Sequence, residues 1–358
     1  MYKENLLNIQ FKEEAKRFAT INPFIIDIHS HVNGAKAAKV FEEVAKLYGV
    51  GRVYTMTPID GVAPVREVLG DLIRFIAIPK LQSPNPIWDH GEGFLPVLEQ
   101  FYALGSRIVK FWAAPRGLDF SDQFGAPELL RITSPQRRIV MDEASKLNMI
   151  FMAHISDPDT WFQAKYKDSK RYGTKAEQYV PLDDLLARYT QPWILAHMGG
   201  WPEDLDFLTQ LLNRHQNLYL DTSATKWMVR ELSKHSEGDF STFMKLHQGR
   251  IIFGSDIVTS DSHLNFHEGE NDRATQASSQ QEAFDLYASR YWSLRTLFET
   301  TYDGPSTIAD SDLPMVEPNL YNELSSPQLR GKQLDLGSLQ SIYFHAAHDL
   351  LSPYGQES

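Results

Sequence analysis

The sequence predicts a parallel (β/α)8 barrel, and three observations carry that prediction. Short apolar runs of strand length recur along the chain and number eight. Segments with helically spaced apolar residues separate nearly all of them. Polar residues collect at the ends of the runs, and in such barrels the chemistry sits at the C-terminal ends of the strands. A doubly wound open sheet would use the same elements; the closure of the count at eight favours the barrel.

The first run is Phe24-Ile25-Ile26-Asp27-Ile28-His29-Ser30-His31. Strand alternation puts Asp27, His29 and His31 on one face. Two imidazoles on one face at a strand end can grip a divalent metal. Taken alone, they read more plainly as two surface histidines at a strand–loop junction. Next, Ala37, Val40, Phe41, Val44, Leu47 and Tyr48 fall at helical spacing, closed by Gly49. Strands are expected over residues 52–57 and 73–78, each stopped by a proline, with a short helix over 65–72 between them. A helix over 94–104 leads to a strand over 107–113. Ser134-Pro135 opens a helix running to Leu147, with proline at its favoured first position, and a strand follows over 149–154. Helices over 181–189 and 202–215 alternate with strands over 193–197 and 218–221. Helical material over 226–247 leads to the eighth strand, 250–256.

Composition narrows the function classes. The chain has 358 residues, 42% of them hydrophobic, enough for a sizeable core. A net charge of −11 argues against nucleic acid or an anionic membrane as main partner. There is no 18-residue apolar run and no apolar core of a signal peptide after Met1, so a cytoplasmic protein is the expectation. Cysteine is absent, so a metal must be held by His, Asp, Glu or a modified Lys.

Two regions fall outside the repeat. Residues 260–279 are polar, with Asp261, His263, His267, Glu268 and Glu270, and form either a lid over the barrel mouth or a plain surface loop. Residues 302–338 are rich in Pro, Gly, Ser and Asp and read as an extended excursion, a candidate surface for a homo-oligomer. A last helix is expected around 339–351.

The strand ends, compared together, make a constellation. The first gives His29 and His31, the fourth Lys110, the fifth His154, the sixth His197 and the eighth Asp256. Each has a structural explanation by itself. Together they form a ring of nitrogen and oxygen donors suited to a metal.

The motifs Asp27-Ile28-His29-Ser30-His31, Ala153-His154, Ala196-His197-Met198-Gly199-Gly200 and Phe253-Gly254-Ser255-Asp256 resemble those of the amidohydrolase superfamily. Within it the chain is similar to the amidohydrolase-2 group, which holds aminocarboxymuconate-semialdehyde-type decarboxylases as well as hydrolases. The resemblance covers residues 24–256, and residues 342–351 are similar to the family's last helix, although His345 stands where glycine or asparagine is often found. It implies a single TIM-barrel domain over residues 1–358. It also implies that His29, His31, His154 and Asp256 hold one divalent metal, most often zinc, with manganese, iron or nickel as alternatives. His197 matches the histidine that polarises substrate or stabilises an oxyanion. A bound Zn²⁺ can bring the pKa of its water to ~7, and Asp256 can then move the proton to a leaving group.

Val109-Lys110-Phe111-Trp112 is similar to the hydantoinase-like branch, in which a strand-four lysine is carboxylated and bridges two metals. The expectation here is one metal and an unmodified Lys110 that contacts substrate; a second metal on carboxylated Lys110 is the competitor. Trp112, Arg116 and Trp201 are candidates to line a pocket for an acidic or aromatic substrate. The expected activity is hydrolysis of a small organic molecule through metal-activated water. The alternative is a non-oxidative decarboxylase with the same ligands. A non-catalytic binding protein on a retired barrel is a third reading, and retention of every ring position argues against it.

Overall fold

The computed structural model describes residues 2–80, 83–266 and 275–357. In chain order the first half runs β1 (Ile25–His31), α1 (Ala35–Leu47), β2 (Val50–Thr55), α2 (Val62–Leu69), β3 (Ile73–Phe75), α3 (Phe94–Ala103) and β4 (Ile108–Trp112). Then come α4 (Pro135–Lys146), β5 (Ile150–His154), α5 (Val180–Arg188), β6 (Trp193–Leu195), α6 (Leu205–Arg214) and β7 (Leu218–Asp221). The last part holds α7 (Thr225–Leu232), α8 (Glu237–Leu246), β8 (Ile251–Ile252), β9 (Ile257–Val258), α9 (Gln280–Glu299), β10 (Asp303–Pro305) and β11 (Gln328–Arg330). This is the (β/α)8 class: the expected eight strands alternate with helices, and their sheets are parallel.

Four local expectations are corrected. The eighth strand is only β8; Asp256, with φ 58, lies outside the extended region, and β9 follows it. The helical stretch over 226–247 divides into α7 and α8, with Ser236 capping the second through a bond from the Asp239 amide at 3.0 Å. The excursion over 302–338 is more structured than expected, with the antiparallel pair β10–β11 and a short helix at Asp312–Val316. The closing helix contains a π-helical stretch, Ser341–His345.

The chain divides into two compact units. The first comprises Met1–Thr55, Gly61–Ile73 and Thr222–Asp349. In it β1 pairs with β2 (Ile25↔Val50, Ser30↔Thr55) and with β9 (Ser30↔Ile257, His31↔Val258). The Ile28 amide donates to the Phe253 carbonyl at 2.9 Å, which ties the segment after β8 to β1. Helix α9 is buried along most of its 20 residues and packs Tyr287 and Tyr291 against Phe41 of α1, with ring centroids 6.3 and 6.4 Å apart. Buried Arg230 of α7 holds the excursion in place. Its guanidinium bonds Glu231 at 2.5 Å, Asp312 at 3.0 Å and Asp310.

The second unit comprises Met56–Asp60, Arg74–Asp221 and Leu350–Ser358. Here β4 pairs with β5 (Lys110↔Met152, Trp112↔His154), β5 with β6 (Ala153↔Leu195) and β6 with β7 (Leu195↔Leu220). Phe111, Phe151 and Trp193 share one face, with Phe111–Phe151 centroids 5.5 Å and Phe151–Trp193 centroids 4.9 Å apart. Buried Arg137 of α4 lies over Phe111 at 5.8 Å and donates to the Trp112 carbonyl at 2.8 Å. By alternation Lys110, Trp112 and His154 share the opposite face. Among the described residues no helix is long and apolar enough to cross a membrane.

Candidate metal centre

His29, His31 and Asp256 come together in the first unit, with one donor atom from each within 4.8 Å of the others. Asp256 Oδ1 lies 3.6 Å from His29 Nε2 and 3.3 Å from His31 Nε2. A tetrahedral ion with ligand bonds of ~2.0–2.2 Å holds its donors roughly 3.3–3.6 Å apart. Asp256 therefore stands from each histidine at the spacing of two donors on one ion. His29 is buried, while His31 and Asp256 keep 30% and 29% of their side-chain surface, so the group faces outward on one side.

The backbone around them explains the placement. The Asp256 amide donates to the His29 carbonyl at 2.8 Å, so the turn after β8 is pinned to the strand that carries the histidines. Gly254 sits in a close approach: a Cβ there would stand 3.0 Å from the His29 Cβ and 3.2 Å from the Ser223 Cβ, tighter than ordinary contact. Asp27 holds the turn from below. Its Oδ1 accepts from the His29 amide at 3.1 Å and the Ser255 amide at 3.0 Å; its Oδ2 accepts from Ser255 Oγ at 2.6 Å and the Tyr291 hydroxyl at 2.8 Å. Burial pushes the Asp27 carboxyl up to about 7, against the pull of those bonds. Ser223 Oγ stands 3.0 Å from His29 Nδ1. That contact fixes the ring with Nε2 toward Asp256, the usual role of a partner behind a metal-binding histidine.

The remaining candidate residues belong to the second unit. His154, at the end of β5, and His197, just past β6, make an edge-on ring pair with centroids 4.5 Å apart. His154 Nε2 lies 2.8 Å from Asp157 Oδ1. The His197 amide donates to Asp221 Oδ1 at 2.9 Å. Four successive residues, His197, Met198, Gly199 and Gly200, have positive φ. At Gly200 a Cβ would meet the Ser156 carbonyl at 2.0 Å, so only glycine lets the two loops touch. Lys110 is buried on the face it shares with Trp112, and Trp112 packs edge-on against His154 at 6.4 Å. Arg116 is exposed with its guanidinium over Phe120 at 5.3 Å. Trp201 is stacked on Tyr179 at 5.6 Å and packed on Phe207 at 4.5 Å.

Of the segment 260–279, residues His267, Glu268 and Glu270 lie outside the described residues. Asp261 accepts from the Lys36 and Ala37 amides at 2.9 and 2.8 Å, capping α1, and His263 is buried with Nδ1 2.9 Å from the Tyr287 hydroxyl. Sequence reasoning overlooked Asp157, Asp221, Ser223, Tyr291 and Lys175. Asp221 ends the seventh strand, where the other strands carry their polar groups, and that position was a usable signal. Nothing in the local sequence marks Tyr291, which reaches Asp27 across 264 residues.

No curated protein matches the chain. Among solved structures it is similar to a probable 2-pyrone-4,6-dicarboxylic acid hydrolase from Acinetobacter baumannii at 13% identity, covering 75% of this chain and 95% of that one, with a TM-score of 0.43. It is similar to an uncharacterised TIM-barrel protein from Bordetella bronchiseptica at 12% identity, covering 92% and 99%, with a TM-score of 0.47. A D-hydantoinase from a Bacillus species is similar at 13% identity over 72% of this chain and 62% of that one, with a TM-score of 0.41. The sequence model of the amidohydrolase family matches residues 99–286, more than half of the 358. The chain belongs to the amidohydrolase family.

Proposed function

We propose that this protein is a metal-dependent hydrolase acting on a small organic molecule. The observation that supports this reading is the donor set of His29, His31 and Asp256, gathered within 4.8 Å, with Asp256 at ion-ligand spacing from each histidine. His154 completes the ligand set in this reading, on the strength of its motif at the end of β5. When bound, a divalent ion, zinc by preference, supplies Lewis acidity and brings water's ionisation toward neutrality.

The chain's own residues do the rest. Asp256 keeps part of its carboxylate exposed, and it takes a proton there and returns it to the leaving group. His197 faces the negative charge that develops on the substrate. Lys110 acts as an unmodified amine that binds substrate in a one-metal site, beside Trp112 on the same strand face. Arg116 and Trp201 border the substrate from the loops that follow.

The test is a panel of lactones, esters, amides and aromatic or enoic acids, run on protein reconstituted with zinc, manganese, iron or nickel. Hydrolysis of at least one lactone, ester or amide, lost in Asp256→Asn, is the expected result. Release of CO2 from an acid with no hydrolysis of any substrate would assign a carboxy-lyase instead. Absence of turnover with every metal would contradict both activities.

A further inference from the structure

Three residues past His154 the chain carries a second, fully engaged carboxylate. Asp157 is 3% exposed, and each of its oxygens has a partner. Oδ1 lies 2.8 Å from His154 Nε2, and Oδ2 accepts from the Tyr166 hydroxyl. Burial, reinforced by the Asp157 charge, raises the Tyr166 phenol well above its usual range, so it remains a donor. With Asp157 Oδ1 as the acceptor, the donor in this contact is His154 Nε2–H. The Asp157 backbone is held as well. Buried Lys175 donates to the Asp157 carbonyl and, at 2.7 Å, to the Gly200 carbonyl, while its ammonium lies over Phe162 at 5.2 Å and Trp201 at 5.3 Å.

We infer that Asp157, backed by Tyr166, is a positioning residue that locks His154 in the Nε2–H tautomer and makes Nδ1 its lone-pair nitrogen. Bearing on the metal rests on the reading of His154 as a ligand proposed above. A carboxylate behind a histidine ligand raises its basicity and fixes its plane, and removing such a partner typically costs about 10–100-fold in metal affinity. Tyr166 contributes by holding the second oxygen, so that the carboxylate does not rotate away from the ring.

The experiment has two readouts. The first is the tautomer of His154 in metal-free protein, read from nitrogen NMR of ¹⁵N-histidine-labelled full chain and assigned with His154→Gln. The wild type should show protonated Nε2, and Asp157→Ala should show a mixture of tautomers. Tyr166→Phe, which keeps the ring packing, should show a smaller shift in the same direction. The second readout is zinc affinity by competition with a chromophoric chelator, expected to fall by about 10–100-fold in Asp157→Ala. A wild-type Nδ1–H tautomer, or an unchanged tautomer in both variants, would overturn the inference. A changed tautomer with unchanged zinc affinity would uphold the orienting role and overturn His154 as a ligand.

Discussion

At the scale of single residues, the proposed function gives Asp256 two tasks on a constrained backbone. Asp256→Asn keeps one oxygen for a metal but cannot take a proton, so turnover should fall far more than metal content; near-native turnover on a verified substrate would remove Asp256 from the acid–base role. Tyr291→Phe takes one donor from a buried carboxylate that has four. It should lower stability by about 1–3 kcal/mol in denaturant titrations. His90 gives the acid side of the stability curve. Burial, with the nearby Arg137 charge adding to it, lowers its pKa to about 3 from the ordinary 6.5. Below pH 6.5 the unfolded chain binds a proton that the folded chain refuses, so stability declines as the pH falls through this window toward 3. The slope from this one group approaches about 1.4 kcal/mol per pH unit. In His90→Gln that component should vanish from urea melts taken across the window; an unchanged slope would mean that His90 is protonated in the fold.

Elements differ in how far the sequence revealed them. The strands were legible because short apolar runs bounded by glycine or proline have few other uses, and six of the eight were placed within two residues at each end. The grouping of His29, His31 and Asp256 was legible because polar residues at strand ends of this fold converge on one face. Helix α9 was not, since a helix buried nearly all round shows no apolar stripe. The alternation expected through residues 24–31 fails between Asp27 and Ser30, where the β1–β2 register shifts, and Asp27 turns to Ser255 and Tyr291. No periodicity signals such a shift. The excursion over 302–338 looked extended because its fastening is a long-range charge cluster. Arg230 is buried with Glu231, Asp310 and Asp312, and their charges raise its pKa against the desolvation that lowers it. Arg230→Ala removes the guanidinium shared by three buried carboxylates, of which Glu231 keeps its pair with Lys234. It should cost about 3–5 kcal/mol and speed hydrogen exchange in β10 and β11 before the rest of the first unit. Uniform exchange across that unit would show that the cluster does not hold the excursion.

At the scale of the whole molecule, the (β/α)8 class and family membership say where chemistry is placed and leave the reaction to the residues at the strand ends. The first unit brings donor atoms of two imidazoles and a carboxylate within 4.8 Å of one another, and a buried hydrogen-bond network from α9 to the turn after β8 keeps them there. Within the second unit His154 and His197 form a ring pair, with Asp157 on the His154 ring and Asp221 on the His197 backbone amide. The most direct test of this account is metal content. Protein stripped with a chelator, reloaded with zinc and freed of excess should retain about one equivalent per chain by elemental analysis, and the His29→Ala/His31→Ala double variant should retain almost none while keeping its far-ultraviolet circular dichroism. Equal retention by the two proteins, or no retention by the wild type, would contradict the metal centre and the function built on it.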